Sequence, residues 1–143
     1  MGRAYIPVEV DRRVRAAARN RCGYCLSAQH LVMARLEIEH IIPLSEGGSD
    51  EEVNLWLACP ICNRHKSNKT TAVDPASGET VPLFNPRTQQ WFEHFHWTED
   101  GVQIVGKTPT GRATVAALHL SDDADALVVR SYWVLAGWHP PRD

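Results

Sequence analysis

The feature that most constrains this chain is the arrangement of its cysteines. All four fall in two C-x-x-C pairs, Cys22/Cys25 and Cys59/Cys62, with thirty-three residues between the pairs. A C-x-x-C knuckle aims two thiolates at one point, and two knuckles close a tetrahedral four-sulfur site suited to structural zinc. The competing reading, four small buried hydrophobes, does not account for two complete pairs with no cysteine left over. Disulfides are not expected either. The opening "MGRAYIPVEVDRR" lacks the apolar segment of a secretory signal, so a cytoplasmic setting with reduced thiols is expected. A metal with four thiolate ligands has no open position for water, so it is a scaffold and not a catalyst.

The interval exceeds the ~15–20 residues of a simple zinc ribbon, so something is inserted between the knuckles. Residues 35–42 read as a strand, and 45–52 as a turn-rich loop with Gly47-Gly48 at its tip. Residues 54–59 read as a second short strand, and 59–69 as the second knuckle running into a short helix whose first turn tolerates Pro60. Zinc then clamps the ends of a hairpin against that helix. On the first strand Leu36, Ile38 and Ile42 recur at intervals of two and mark a buried face. His40 lies on that face with the acid Glu39 beside it. Strict alternation sends Glu39 and His40 to opposite sides. Both reach one site if the strand twists or ends there, and Pro43, unable to continue a central ladder, favours an early end.

Held in this way, Glu39, His40, Asn54 and Asn63 can converge. A carboxylate and an amide oxygen suit Mg²⁺ or Mn²⁺. An imidazole beside them can take a proton from water near neutral pH. Phosphodiester hydrolysis needs such a set: a base to make the nucleophile and a cation to stabilise charge on the phosphate.

The order Glu39-His40, then Asn54 after the Gly-Gly loop, then "CPICN" with the basic "RHKS", resembles the HNH endonuclease family over about residues 20–69. The resemblance implies an α+β chain whose first part has the ββα-metal fold. It implies His40 as general base, Asn54 as the residue that braces the loop and orients His40, and Glu39 and Asn63 as ligands of a catalytic Mg²⁺ or Mn²⁺. It implies products with a 5′-phosphate and a 3′-hydroxyl. The first position more often holds Asp or His, and the third holds His in many relatives; Asn63 there favours a hard ion such as Mg²⁺. His65 is a poor substitute, since two residues turn a helical side chain by about 200°.

Net charge is −2, so no global field points to a polyanionic partner. The charge is uneven, however. Arg3, Arg12, Arg13, Arg15, Arg19 and Arg21 gather near the N-terminus, and Arg64, Lys66 and Lys69 follow the second knuckle. Such patches can hold phosphates, with DNA the expected partner and RNA a second possibility, or can simply form a solvated helix face. No stretch reads as a membrane span, since "ADALVVRSYWVLAGW" is short and holds Arg130. The rival to a nuclease is a non-catalytic zinc-knuckle module that binds nucleic acid or protein.

Two parts are expected, residues 1–70 as the nuclease module and 71–143 as a C-terminal α+β extension packed on it. In the first, a helix follows Pro7, with Val10, Val14, Ala17 and Ala18 on one side and Asn20 as its stop. In the second, "TTAVDPASGETVPLFNPRTQ" reads as loop, and "QWFEHFHW" with "VQIVGK" as a hairpin. "TGRATVAALHL" and "SDDADALVVRSYWVLAG" read as helices, the latter capped by Ser121 and ended by Gly137. His94 and His96 would share a strand face and could bind an ion, but an exposed face opposite inward-packing Trp91, Phe95 and Trp97 is favoured. Trp133 and Trp138 read as core or helix-packing residues.

Overall fold

The computed structural model describes residues 5–142. Arg3, in the N-terminal basic cluster, therefore lies outside the described residues. The described residues divide into two compact units, one formed by residues 5–70 with 85–88, the other by residues 71–84 with 89–142.

The first unit opens with α1 (Val8–Ala17), which starts directly after Pro7. Acids lie in its first turn and Arg15 in its last, which complements the helix dipole. Its apolar side delivers Val14 and Ala18 to the core, and α1 packs on the second strand of the hairpin described next. The chain leaves the helix through Arg19 and Asn20, both at positive φ. It then enters the first knuckle.

The hairpin is β1 (Glu37–His40) against β2 (Leu55–Ala58), antiparallel, with Ile38 opposite Leu57 and His40 opposite Leu55. Leu55, Leu57 and Ala58 are fully enclosed; burying a leucine side chain stabilises by roughly 1.5–3 kcal/mol. The helix α2 (Pro60–Lys66) begins at the second knuckle, with Pro60 in its first turn. Its N-cap is Cys59, whose sulfur accepts the amide N–H of Cys62. The sequence β1–β2–α2 is thus a ββα unit, within a mixed α+β chain.

One sequence expectation reverses here. Glu39, not Ile42, is the sealed side chain: Glu39 is 2% exposed and Ile42 46%. The physical reason is that α2 lies on the face carrying Glu37 and Glu39, where Asn63 meets Glu37 and Lys66 meets Glu39. The hairpin is covered on both faces, so a one-sided apolar alternation does not describe it.

In the second unit, residues 71–82 are not loop. They form a hairpin of β3 (Thr71–Val73) and β4 (Thr80–Pro82). Asp74 builds its turn by accepting from the Ala76 amide and the Ser77 hydroxyl, and Gly78 closes it at φ 77°. Next come the single turn α3 (Trp91–His94) and the hairpin of β5 (Phe95–Trp97) with β6 (Ile104–Gly106). Two helices follow, α4 (Pro109–Ala117) and α5 (Ala124–Leu135). The cap of α5 is Asp123, which accepts from the Asp125 and Ala126 amides. Ser121 instead exchanges two hydrogen bonds with the Ile104 backbone. Trp138, expected in the core or packed on a helix, is 62% exposed. Among the described residues no helix is long and apolar enough to cross a membrane.

Candidate active site and metal centre

The four cysteines converge. Their sulfurs all lie within 4.8 Å of one another and are buried. Cys25 and Cys59, from different knuckles, are 3.8 Å apart, the sulfur separation of a tetrahedron with metal–sulfur bonds of ~2.3 Å. Burial pushes the Cys22 thiol up, while hydrogen bonds from the neighbouring thiols hold Cys25 down. The sulfurs of Cys22 and Cys59 accept backbone N–H groups, as thiolates at a structural centre do. The donor set fits zinc: four soft ligands, closed, with no place for a reacting water.

Beside this centre lies a polar cluster that the cysteine spacing alone does not reveal. Tyr24, between the two cysteines of the first knuckle, aims its hydroxyl at both Glu39 oxygens, at 2.8 and 2.9 Å. The Lys66 ammonium is 2.9 Å from Glu39 Oε1. All three side chains are buried. Burial raises the Glu39 carboxyl above its ordinary value, against the opposing pull of Lys66 and of the Tyr24 hydroxyl. Burial and the Glu39 charge likewise push the Tyr24 phenol well up.

This cluster corrects two assignments made on sequence. Glu39 is not placed as an open ligand, because its oxygens are taken by a hydroxyl and an ammonium. Nor is it joined to Asn63, whose amide donates instead to Glu37 Oε1 at 2.9 Å. Lys66 is not placed to meet a phosphate, because it is 2% exposed and paired inside. Arg64 and Lys69 are on the surface. Glu39 and Asn63 thus do not meet as a pair of oxygen ligands. Among the described residues, the four cysteines are the only cluster of three or more histidine, cysteine or carboxylate groups placed to share a metal ion.

His40 lies at the end of β1 and is neither sealed nor free. Its side chain is 18% exposed, and Nε2 is 2.8 Å from Asp50 Oδ1. Asp50 was missed on sequence. It sits in the loop between the strands, where an acid reads as turn chemistry, and only folding brings it back over His40. That loop is tied down by Asn54. Its Oδ1 accepts from the Ile42 amide, and its Nδ2 donates to the carbonyls of Ile42 and Ser49, all at 2.9 Å. Gly48 is needed here, since a Cβ at that position would overlap the Ile42 carbonyl oxygen.

Among the described residues, the other histidines join no cluster of three or more possible metal ligands. His94 is in the turn α3, not on a strand, and its Nδ1 pairs with the Thr108 hydroxyl at 2.6 Å. His96 bonds the Trp97 carbonyl. Of the N-terminal arginines, Arg13 pairs with Glu52, and Arg15 with Asp11 and the Leu36 carbonyl; these serve the fold.

Residues 22–69, about a third of the chain, match the family model of the HNH endonuclease. That segment contains both knuckles, β1, β2 and α2. Comparison with curated proteins and with solved structures found no match.

Proposed function

We propose, from the HNH endonuclease match over residues 22–69 and the partly buried, oriented imidazole of His40, that this protein hydrolyses phosphodiester bonds of DNA. The observation that carries the reading is the His40–Asp50 pair at 2.8 Å at the mouth of a ββα unit. With the proton on Nε2, the ring donates to Asp50 and leaves Nδ1 as the acceptor. His40 then takes the proton of a water that attacks phosphorus, and the carboxylate stabilises the imidazolium that forms. Asn54 fixes the loop that carries Asp50. Arg64 and Lys69 hold backbone phosphates, which positions the strand without reading sequence. The products carry a 5′-phosphate and a 3′-hydroxyl.

The family resemblance brings with it a divalent cofactor, Mg²⁺ or Mn²⁺. Glu39 is engaged by Lys66 and Asn63 by Glu37, so these two residues, as they stand, do not fit such an ion. Zinc on the four cysteines supplies rigidity only.

The enclosed Glu39 favours a second reading, a zinc-knuckle module that binds nucleic acid without cutting it. One assay separates the two. Supercoiled plasmid is incubated with wild type or His40→Ala, with Mg²⁺, with Mn²⁺ and with chelator. The nuclease reading expects nicked or linear product from wild type and a loss of about 10²–10⁴-fold in the variant. Equal cutting by both proteins removes His40 as the base. No cutting by wild type under any condition, with retained binding, establishes the binding module.

A further inference from the structure

Past the His40–Leu55 pair the β1–β2 ladder ends, yet the next peptides are not left to solvent. The Ile41 amide donates to the Asn54 carbonyl at 2.8 Å, and the Ile42 amide and carbonyl are both taken by the Asn54 side chain. The remaining acceptors of the segment, the carbonyls of His40 and Ile41, are met from the opposite side. The Lys66 ammonium donates to them at 3.1 and 2.9 Å. Its third partner is Glu39, at 2.9 Å. An ammonium has three donors in all, and here each has one acceptor.

Nothing about binding phosphate explains a lysine so enclosed. A buried charge without its partners is costly, so this ammonium can sit only where all three acceptors stand, which makes it a geometric constraint. The constraint also reaches the scaffold. Glu39 is held by Tyr24 from the first knuckle, and Lys66 ends the helix that starts at the second.

We propose that Lys66 is the positioning residue of His40: from the last turn of α2 it fixes the backbone carbonyls of His40 and Ile41, and Glu39 and Tyr24 serve to hold the ammonium in place. The inference rests on His40 being the base, and it turns the carboxylate of the motif from a ligand into a support.

The test has a spectroscopic arm and a kinetic arm. In ¹⁵N-labelled wild type, the Lys66 ammonium is expected as a resolved resonance in slow exchange with water. Exchange as fast as that of a surface lysine overturns the proposal without any variant. Next, Glu39→Gln/Lys66→Met removes both charges together, which avoids an orphaned ion. Its folding is checked by melting and by zinc content. The His40 ring signals and the Ile41 and Ile42 amide signals are expected to move, and kcat on plasmid to fall by about 10–100-fold with KM little changed, as for a mispositioned group. A folded double variant with unmoved His40 signals and unchanged kcat refutes the role. If the variant does not fold, the wild-type exchange measurement decides. If wild type does not cut plasmid, the nuclease reading fails, and the spectra still decide whether Lys66 pins His40.

Discussion

Asn54 and Glu39 show how far a residue's type constrains its use. Both are polar residues of the hairpin that carries His40. Asn54 has two donors and an acceptor, and spends them on three backbone groups of one loop. Asn54→Ala is expected to destabilise the first unit by about 1–3 kcal/mol, the cost of leaving such groups unmet. Hydrogen exchange should then quicken at Ile42 and Gly48 while zinc content stays the same. Unchanged protection at Ile42 would mean that the loop is held by its own turns. Glu39, by contrast, has only acceptors, and any cation nearby can claim them. Its type is compatible with a metal ligand or an ion-pair partner, and the choice depends on whether a lysine three residues past Asn63 folds back on it.

At the level of elements, the zinc knuckles act as the two ends of a clamp. The segment they hold is short: two strands of four residues each and a helix of seven. A two-stranded hairpin is marginal in water, and so small a module commonly needs a metal. Chelating the zinc is therefore expected to abolish slow amide exchange in β1, β2 and α2, and Cys62→Ser to do the same. Metal analysis should find one zinc per chain beforehand. Protection that survives chelation would show that the core, with Leu55 and Leu57, suffices alone. The elements least legible in sequence were the short ones. The β3–β4 hairpin is hidden because its strands are three residues long and its turn residues dominate the composition. The cap of α5 was misplaced because Ser121, Asp122 and Asp123 are all good caps, and the Ile104 backbone claims Ser121.

On the scale of the whole molecule, charge decides which contacts survive a change of medium. In the second unit Arg112 grips Asp74 with two parallel hydrogen bonds at 2.9 Å. With that grip first and the Ala76 and Ser77 bonds after it, the carboxyl is held well below the usual range. A folded value below the unfolded one means that the stabilisation is complete above the ordinary Asp value, ~3.9, and is lost as pH falls through the folded value. Asp74→Asn should thus melt lower than wild type at neutral pH, with the gap shrinking in strong acid as pH falls below the ordinary Asp range towards the folded value. A gap that stays constant with pH would assign the effect to packing. Much of the first unit was readable without coordinates. Cysteine spacing specified a metal centre, because thiolate geometry is local. The order of Glu39, His40, Asn54 and Asn63 implied a ββα unit through its resemblance to the HNH endonuclease family. Local sequence signals placed α1, β2, α2 and α4, because a helix or strand is set by neighbours in the chain. Tertiary structure alone decided what the polar side chains do. Glu39 and Lys66 are 27 residues apart and Tyr24 and Glu39 are 15 apart, and whether an acid meets an ammonium, a phenol or an ion depends on which face the helix covers, information that no window of sequence contains.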